Sequence, residues 1–515
     1  MNNPGRRESS SCPPERTQKT ESVSSREGQP ERGETAARAS EPPRSTAETG
    51  EPAQGTPRRE GGGRVTEPME GNTPGPSMPV TVSTKLRRIT ELARGAPDMQ
   101  IRSLSHHIDV DFLREAFART RKDGATGVDG QTADDYVANL EGNLQSLLDR
   151  FKSGTYRAPP VRRVHIPKGD GSKTRPIGIP TFEDKILQRA VAMVMNAVYE
   201  QDFLNCSYGF RPGRSAHDAL ESLRREAMNM RGGWVLDVDI KGFFDNLDHG
   251  HLRELLDQRV RDGVIRRTID KWLKAGVLED GSLSYPDTGT PQGGVISPLL
   301  ANVYLHEVLD KWFERDVKPR LRGRSFLVRY ADDFVVVFSR EEDARRVLEV
   351  LPKRFGKYGL TLHPEKTRLV PFGQPHRSDD EGPGPGSFDF LGFTHFWARS
   401  RRGSWVISRK TADSRFTRAL KRIADWCRTN RHLRIADQKQ ALAKKLRGHC
   451  EYYGITGNSR ALARFRYELL RVWFRWLSRR SQRRKTWDWF NALIQRIGFP
   501  GAKCVHSALK PVANL

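Results

Sequence analysis

The chain carries, at residues 327–338, the stretch Leu327-Val328-Arg329-Tyr330-Ala331-Asp332-Asp333-Phe334-Val335-Val336-Val337-Phe338. Two runs rich in Val and Phe, each of strand length, flank an adjacent pair of acids, so the pattern predicts a hairpin with Asp332 and Asp333 at its tip. Two like charges held together repel each other, and Mg²⁺, which prefers hard oxygen ligands, relieves that repulsion. Taken alone, the pair is also typical of an ordinary polar turn, because Asp is a common turn residue.

A second acidic stretch upstream favours the metal site over the ordinary turn. It reads Trp234-Val235-Leu236-Asp237-Val238-Asp239-Ile240 and predicts another buried strand that ends in acids, followed by Lys241-Gly242-Phe243-Phe244-Asp245. If the two strands are neighbours, Asp239 and Asp332 meet at one site, which is the geometry that two-metal phosphoryl transfer requires. Taken alone, this strand has a structural alternative, in which its acids pair with Lys or Arg.

Five motifs of this chain resemble, in order and spacing, those of the bacterial group II intron-encoded reverse transcriptase/maturase family. They lie at residues 207–215, 239–245, 289–302, 330–333 and 390–393. The resemblance runs from about residue 104 to about residue 489, and five ordered motifs are far more specific than any one of them. It implies an α+β right-hand polymerase with fingers, a palm built on an antiparallel sheet, and a helical thumb.

The resemblance also implies the reaction and its catalytic residues. The chain would be an RNA-directed DNA polymerase, in which a primer 3′-hydroxyl attacks the α-phosphate of a dNTP. Asp239, Asp332 and Asp333 are then the catalytic carboxylates and, with the backbone carbonyl of Ile240, the ligands of two Mg²⁺ ions. Lys366 is a candidate general acid for the leaving pyrophosphate, although an ordinary surface charge is the preferred interpretation for it.

A cationic hairpin upstream of the acids is predicted to bind the triphosphate. Residues 156–168 and 174–180 indicate two strands joined by a Gly-Asp-Gly turn. Such a hairpin would offer Lys168 and Arg175 to phosphate charge that the metal ions neutralise only in part. The alternative is that both are surface charges of a strand, and it competes more strongly for Lys168.

Further residues are expected to contact nucleotide or template. Phe244 lies where related polymerases place a ring that leaves no room for a 2′-hydroxyl, so it would select deoxynucleotides. Gln292 precedes two glycines, which allow close backbone approach to the nucleotide. The resemblance places Arg211 and Arg214 near the template, and a structural turn with two solvated arginines is the alternative for them.

Composition independently favours a polyanionic partner. The net charge is +25, with a pI near 10.1. Residues 399–489 hold 26 Lys or Arg against six Asp or Glu, and the aromatic residues interleaved with them argue against a merely soluble basic face. The family's thumb grips intron RNA, and the candidate RNA-binding residues here are Lys444, Lys445, Arg447, Arg464, Arg471 and Arg475.

The domain organisation follows from composition and from the resemblance. Residues 1–83 contain no Leu, Ile, Phe, Tyr or Trp and are dense in Pro, Gly, Ser and Glu, so they are predicted to be disordered. The expected sequence of domains is a disordered extension (1–83), an N-terminal helical extension of the fingers (84–150), fingers and palm (151–395), thumb or maturase domain (396–490) and a short basic tail (491–515).

The expected partners are group II intron RNA, an RNA template with a DNA primer, dNTPs and target DNA. A homodimer is kept open, and no stretch is long and apolar enough to predict a membrane span. The bacterial cytosol, with association to the nucleoid kept open, is the expected location. The five cysteines show no C-x-x-C pairing, so the HNH endonuclease of many relatives is not expected, and insertion into DNA would use a nick or single strand made elsewhere.

Two other functions are weighed against a polymerase that is also a maturase. One is a splicing cofactor that binds intron RNA and no longer needs polymerase activity, but intact carboxylates, the Gln-Gly-Gly loop and the aromatic gate argue against it. The other is a free-standing reverse transcriptase in a host process such as defence, which the unusual residues 1–83 keep open.

Overall fold

The structure is a computed structural model that describes most of the chain from residue 81 onward. The described residues are 81–168, 173–279, 281–285, 288–289, 293–375, 386–480 and 485–506, without the side chains of Lys168 and Lys173. The segment predicted to be disordered, residues 1–83, lies almost wholly outside them, so that prediction stays open.

Four helices begin the described chain, and side chains cap the first turns of the first three. They are α1 (Val82–Gly95), α2 (Val110–Arg119), α3 (Ala133–Val137) and α4 (Leu140–Ser153). The side chains of Thr81 and Asp109 accept hydrogen bonds from backbone N–H groups of α1 and α2, which satisfies donors that the helix leaves free. Helices are therefore present where the sequence predicted them.

A hairpin and a buried helix follow. The hairpin consists of β1 (Val161–Lys168) and β2 (Lys173–Ile179), and its two antiparallel strands lie where sequence predicted them. Next come α5 (Phe182–Tyr199) and α6 (Ala216–Asn229). The apolar spacing of residues 183–200 predicts a helix with one apolar side. In the structure, 13 of the 18 residues of α5 are buried, because other helices cover it on several sides.

Burial of α5 includes a carboxylate. Asp184 is 2% exposed and accepts hydrogen bonds from the Tyr156 hydroxyl, from Trp272 Nε1 at 2.6 Å and from Gln188 Nε2 at 3.0 Å. Burial raises the pKa of Asp184 to about 6, although these hydrogen bonds favour the charged form.

The middle of the chain builds a sheet and the helices that cover it. Its elements are β3 (Trp234–Asp239), α7 (His249–Asp257), α8 (Gly263–Leu273), β4 (Val277–Glu279), β5 (Ser282–Ser284), α9 (Ser297–Leu305), β6 (Ser325–Tyr330), β7 (Asp333–Phe338), α10 (Glu341–Gly356) and β8 (Arg368–Pro371). Helix α9 continues in wider π-helical turns over His306–Val317.

Two four-stranded sheets result. The central sheet has the order β6-β7-β3-β8 and is antiparallel throughout. The first sheet has the order β2-β1-β4-β5, in which β1 runs parallel to β4. Helices α5, α7, α9 and α10 contribute to the large core that covers β3 and β7 on one face. This core therefore holds β3 and β7 in fixed positions, and with them the residues at the ends of these strands.

A third sheet and a helical region complete the described chain. They comprise β9 (Phe388–Phe390), β10 (Phe393–Arg399), β11 (Trp405–Thr411), α11 (Asp413–Thr429), α12 (Ile435–Tyr453), α13 (Ser459–Ser478) and α14 (Trp487–Arg496). The three strands have the order β11-β10-β9. Apolar spacing predicts helices over residues 415–429, 435–453 and 461–479, and α11, α12 and α13 begin and end within two residues of these bounds.

Helix α14 was missed by sequence reasoning. The predicted boundary of a basic tail, between residues 490 and 491, falls inside it. Phe490, Leu493, Ile494 and the following Phe499 are buried in the core shared with α11, α12 and α13. Their apolar spacing is that of an amphipathic helix, so the helical region extends through this segment. Among the described helices, none has the length and apolar character needed to cross a bilayer.

Candidate active site

The two acidic stretches meet on adjacent strands. Strands β3 and β7 pair antiparallel with Asp239 directly opposite Asp333. Strand β7 also pairs with β6, where Tyr330 lies opposite Asp333, so only Ala331 and Asp332 form the turn. Ala331 has a φ of 59°, in the left-handed region that two-residue hairpin turns require. The hairpin is present at the predicted position, with Asp332 in its turn and Asp333 as the first residue of β7.

Negative charge is concentrated on one face of the central sheet. Directly opposed residues project to the same side, as do residues two apart along a strand, so Asp237, Asp239 and Asp333 share a face. Asp333 is exposed, but surrounding protein displaces much of its bulk water, which is the first cause of a pKa raised to about 7. The carboxylates of Asp237, Asp332 and Asp239 add to this rise, and Arg415 opposes it. Such a cluster favours the binding of a cation.

Two side-chain cations neutralise part of this face. Lys366 Nζ lies 2.7 Å from Asp239 Oδ2, and Arg368 Nε lies 3.0 Å from Asp237 Oδ2. Both members of the pair formed by Lys366 and Asp239 are about half exposed. Because an exposed ion pair is weak, a divalent ion can displace this lysine without disturbing the core.

The predicted metal ligands fit a hard divalent ion by donor type. The carboxylates of Asp239, Asp332 and Asp333 supply oxygen donors, which Mg²⁺ prefers. Ile240 lies opposite Leu362 in a short antiparallel bridge, whose hydrogen bonds are made by the neighbouring Asp239 and Lys241. The Ile240 carbonyl takes no part in these bonds and points away from the bridge. In the arrangement shown, no three His, Cys, Asp or Glu side chains of the described residues form a metal-binding group, and Asp239 would exchange Lys366 for the ion.

A buried ion pair lies beneath the turn. The Arg329 side chain, on β6, is fully buried and donates through Nε and Nη2 to both carboxylate oxygens of Asp310, at 2.8 and 2.5 Å. Its Nη1 donates to the Asn302 side-chain oxygen at 2.9 Å and to the Ala331 carbonyl at 3.0 Å. One guanidinium thus connects the left-handed residue of the turn to α9 and the helical turns that follow it.

The motif at 207–215 packs against the same turn. A Cβ atom on Gly209 would approach Ala331 N to 2.3 Å, so the close approach of the two backbones requires glycine. The Asn302 side-chain amide donates to the Gly209 carbonyl at 2.7 Å. This motif therefore supports the turn from the side.

The two arginines of that motif have different positions. Arg211 is buried, with its Nη2 3.0 Å from Glu200 Oε2 and its Nη1 donating to the Leu204 carbonyl at 2.7 Å. A buried guanidinium needs such partners, so Arg211 holds the loop closed, and its contact with template stays a prediction. Arg214 is half-buried and donates to Asn205 Oδ1 at 2.7 Å, and its contact with template stays a prediction.

The aromatic pair after the first acids divides between core and site. Phe243 is 2% exposed and Phe244 is half-buried, with their rings 5.2 Å apart. Gly289 lies against this segment, since a Cβ atom there would approach the Phe244 carbonyl oxygen to 2.9 Å. The motif at 289–302 therefore begins beside Phe244. Gln292 lies outside the described residues, and its contact with nucleotide stays a prediction.

The cationic hairpin is described in part. Arg175 is exposed on β2, opposite Ile166 of β1, and takes part in no ion pair with another described residue. The Lys168 side chain lies outside the described part of the structure. Triphosphate binding by Lys168 and Arg175 stays a prediction.

A tight turn between β9 and β10 is held by the helical region. Its residues Leu391 and Gly392 have φ values of 49° and 81°. The Tyr452 hydroxyl on α12 donates to the Leu391 carbonyl at 2.8 Å, and Ala412 N donates to the Gly392 carbonyl at 3.0 Å. A Cβ atom on Gly392 would approach the Tyr453 hydroxyl to 3.1 Å. This turn is thus fixed to α12 and to the residue that precedes α11. The resemblance to the family implies a primer grip at residues 388–393, which include this turn, and that role stays a prediction.

The six basic residues predicted to contact RNA are all exposed. They are Lys444, Lys445 and Arg447 on α12, and Arg464, Arg471 and Arg475 on α13. Those on α13 recur at spacings of seven and four, which places them on one face. Among the six, Arg471 alone forms an ion pair with a described residue, Glu468, at 3.3 Å. The others are accessible to a phosphate backbone, although which of them touch RNA stays a prediction.

Comparison with known proteins identifies the class to which this fold and site belong. Residues 166–395 match the family model described as reverse transcriptase (RNA-dependent DNA polymerase). The match covers β3, the β6-β7 hairpin and the acids at their ends.

Similar proteins extend the likeness beyond that region. The group II intron-encoded protein LtrA of Lactococcus lactis subsp. cremoris is 31% identical, over 66% of this chain and 68% of its own. Protein YkfC of Escherichia coli (strain K12) is 34% identical, over 63% of this chain and 91% of its own. Nuclear intron maturase 2, mitochondrial, of Arabidopsis thaliana is 31% identical over 36% of this chain and 32% of its own.

The chain is therefore an RNA-directed DNA polymerase, of a class that generally uses divalent metal ions. It belongs to the group II intron-encoded reverse transcriptase/maturase family, which confirms the resemblance seen in its five motifs.

Sequence reasoning missed two cations that surround the acids. Arg329 could have been noticed as a charged residue inside an otherwise apolar strand, a position that requires a buried partner. Its partner Asp310 is nineteen residues away along the chain, and nothing local to the sequence links them. Arg415, in the first turn of α11, affects Asp333 only because the chain folds back, and no sequence signal separates it from its basic neighbours.

Proposed function

We propose that the chain extends a DNA primer on an RNA template at Asp239, Asp332 and Asp333, with two Mg²⁺ ions as cofactors. The observation that most directly supports this is the strand register, which puts Asp239 opposite Asp333 with Asp332 in the adjoining two-residue turn. When bound, the ions would lower the pKa of the primer hydroxyl and neutralise charge on the triphosphate. In right-hand terms, the first sheet belongs to the fingers, the central sheet to the palm and helices α11 to α14 to the thumb.

The protein groups would hold the reactants in position. Asp239 ends β3 and Asp332 lies in the turn directly before the adjacent strand β7, so backbone pairing between β3 and β7 holds the two residues near each other. Arg175 would meet the triphosphate, and Phe244 would lie under its sugar. Lys366 pairs with Asp239 in this structure, and on release it would lie beside the phosphates and help to hold them there.

Primer extension with a matched variant tests this proposal. An RNA template with an annealed DNA primer is supplied with Mg²⁺ and dNTPs, and wild type is compared with Asp332→Ala. Asp134→Ala removes an aspartate that is exposed on α3 and is the control. Extension by wild type and Asp134→Ala, with loss of at least about 1,000-fold in Asp332→Ala, is expected because the ion loses a carboxylate ligand. Full extension by Asp332→Ala would overturn the assignment of the site.

We also propose that the helical region binds group II intron RNA and assists its splicing. The support is the set of exposed, largely unpaired cations on α12 and α13, together with the likeness to intron-encoded proteins and maturases. During mobility of the intron, the same chain would meet target DNA as the site of insertion.

A splicing assay at near-physiological Mg²⁺ separates the two activities. Wild type and Asp332→Ala are both expected to accelerate splicing of the intron RNA, because RNA binding does not use the carboxylate. Variants that lose surface cations of α12 and α13 should lose splicing while they retain extension of a simple primer and template. Equal splicing with and without protein would overturn the maturase proposal and leave the polymerase proposal intact.

A further inference from the structure

A cavity of about 430 Å³ opens between α8, the β4-β5 hairpin and the segment that leads into β1. Its lining includes Arg157, Arg267, Lys274 and Tyr285, none of which takes part in the site described above. This volume is in the range of sites that hold a small molecule or a part of a larger one.

The cavity is cationic, and much of its positive charge is uncompensated. Its one acidic lining residue, Asp270, is held by Arg253, whose Nε lies 2.6 Å from Oδ1. A fourth lining cation, Lys271, donates to two backbone carbonyls. The three remaining cations are exposed and form no ion pair with another described residue; they are Arg157, Arg267 and Lys274. The cavity therefore offers charge to an anionic ligand.

An aromatic ring stands at the same cavity. Tyr285 is 67% exposed, which is unusual for a large side chain whose ring is mainly apolar. Its ring lies against the backbone of Gly276, where a Cβ atom would approach ring carbon Cε1 to 3.0 Å. Glycine thus lets the ring lie close to β4 while most of its surface stays open. Leu283, 47% exposed, packs beside it.

An open aromatic ring among unpaired cations matches the way proteins hold single-stranded nucleic acid. Cations follow the phosphates, and the ring stacks on an unpaired base. A duplex has no free base faces for the ring along its length, and an acidic peptide would leave the ring without a stacking partner.

We propose that this cavity binds a nucleotide of single-stranded RNA, with its base on Tyr285 and its phosphates on Arg157, Arg267 and Lys274. The inference rests on the proposed RNA-dependent function, and it adds a contact outside the carboxylate site. Two sources have this chemistry, namely the unpaired template strand ahead of the primer and an unpaired loop of structured intron RNA.

The test measures, by fluorescence anisotropy, how tightly wild type and variants bind a fluorescein-labelled, unstructured 15-nucleotide oligouridylate. Tyr285→Ser should weaken its binding at least about fivefold, whereas Tyr285→Phe, which keeps the ring, should bind as wild type does. The slope of log K, where K is the association constant, against log salt concentration is negative. The triple variant Arg157→Gln/Arg267→Gln/Lys274→Gln should make this slope shallower by about 2, since each phosphate contact on a single strand contributes about 0.7.

A matched triple variant controls for net charge. Arg340→Gln/Arg346→Gln/Lys353→Gln removes three exposed cations on and beside α10, and it should leave the slope within about 0.5 of wild type. An equal change in slope for both triples would overturn the proposal, because binding would then depend on charge in general. Equal binding by Tyr285→Ser and wild type would overturn it as well.

Two further arms identify the source of the RNA. Primed templates with 5′ overhangs of two and twelve nucleotides are compared, and so is refolded intron RNA. Tighter binding of the long overhang by wild type, lost in Tyr285→Ser, assigns the cavity to the template strand. If Tyr285→Ser weakens binding of intron RNA only, the cavity is assigned to an intron loop. If Tyr285→Ser weakens binding of neither the long overhang nor intron RNA, the proposal is overturned.

The outcome is separable from that of the polymerase proposal. At saturating template with the short overhang, the extension rate of wild type reports on the carboxylate site, whereas the oligouridylate measurements report on the cavity. Absence of extension by wild type would contradict the polymerase proposal, yet the oligouridylate measurements would still decide whether the cavity binds RNA.

Discussion

Arg329 holds a full positive charge inside the protein, where an unpaired charge is very costly. Its hydrogen bonds to Asp310, Asn302 and the Ala331 carbonyl satisfy that charge. They also fix a residue in the left-handed region, which costs about 1 kcal/mol for a residue with a Cβ atom. At the residue scale, therefore, a buried ion pair holds the backbone of Ala331, the residue directly before Asp332.

Replacing Arg329 by lysine tests this role. Lysine keeps the charge but loses the paired geometry of the guanidinium, so Arg329→Lys should lower the free energy of unfolding by about 3 kcal/mol. It should also raise the Mg²⁺ concentration for half-maximal extension at least about fivefold, because Asp332 is less firmly placed. Extension rate as a function of Mg²⁺ is the measurement.

Arg259→Lys is the matched control for that experiment. Arg259 is also buried and ion-paired, with Nε 2.8 Å from Asp202 Oδ2, but it binds carbonyls near the end of α1. It should lose similar stability without a change in Mg²⁺ dependence. A similar rise in the Mg²⁺ concentration for half-maximal extension in both variants would show that Arg329 acts through stability alone.

Phe244 is expected to discriminate between the sugars of the two nucleotide classes. With Phe244→Ala, ribonucleotide incorporation relative to deoxynucleotide should rise about 10- to 100-fold, as expected when steric exclusion worth 1–3 kcal/mol is lost. Single-nucleotide extension with dNTP and with rNTP measures this ratio. Phe243→Leu, in the core beside it, should lose stability and keep the ratio, and an unchanged ratio in Phe244→Ala would contradict the gate.

At the scale of elements, α12 and α13 pack through a buried histidine. His449 stacks on Phe465 with ring centroids 3.6 Å apart and planes 9° from parallel. Burial lowers the pKa of His449 to about 4. The folded state therefore holds this histidine neutral over a range of pH in which the unfolded chain, with a pKa near 6.5, takes up a proton.

The sign of the pH dependence follows from that difference. As pH falls from about 6.5 to about 4, the unfolded state binds a proton that the folded state excludes, so the free energy of unfolding decreases. Between pH 6.5 and pH 5, His449 should contribute a loss of about 2 kcal/mol. Urea unfolding at these pH values should show a smaller loss in His449→Gln, while the exposed His432→Gln should match wild type. Equal pH dependence in all three would contradict the assignment.

The elements show where local sequence patterns suffice. Strands β3, β6 and β7 and helices α11, α12 and α13 follow from apolar runs and from apolar spacing. Helix α5 was predicted with one apolar side, yet it is covered on several sides, since neighbours distant in sequence surround it. Helix α14 was missed, because a short apolar pattern beside many basic residues reads as a tail until its core is seen.

At the scale of the whole molecule, the net charge of +25 and its position matter more than any single contact. Each phosphate that the protein neutralises releases counterions, so affinity for RNA depends steeply on salt. The exposed cations of α12 and α13 are concentrated in one region of the chain. We therefore expect them to contribute more to that dependence than an equal number of cations elsewhere.

A triple variant tests this distribution of charge. For intron RNA, Lys444→Gln/Arg447→Gln/Arg475→Gln should make the negative slope of log K against log salt concentration shallower by about 2 to 3. The α10 triple variant Arg340→Gln/Arg346→Gln/Lys353→Gln is again the control and should change the slope by less than about 0.5. Filter binding over a range of KCl concentrations measures both, and equal slopes in the two triples would contradict a preferred RNA surface on α12 and α13.

The sequence by itself determined the family, the acids proposed as catalytic and most strands and helices. These follow from order, spacing and local periodicity, which are properties of neighbouring residues. The sequence also indicated a polyanionic partner, because the net charge can be counted from the residues without knowledge of the fold.

Only the tertiary structure decided which of the charged residues are buried, paired or free. It buried Arg211 beside Glu200, paired Arg329 with Asp310 and Lys366 with Asp239, and assembled Tyr285 and three cations around a cavity. Each of these outcomes depends on contacts between residues far apart along the chain. Burial, rather than residue type, sets the free energy of a charge, and burial is a property of the folded chain alone.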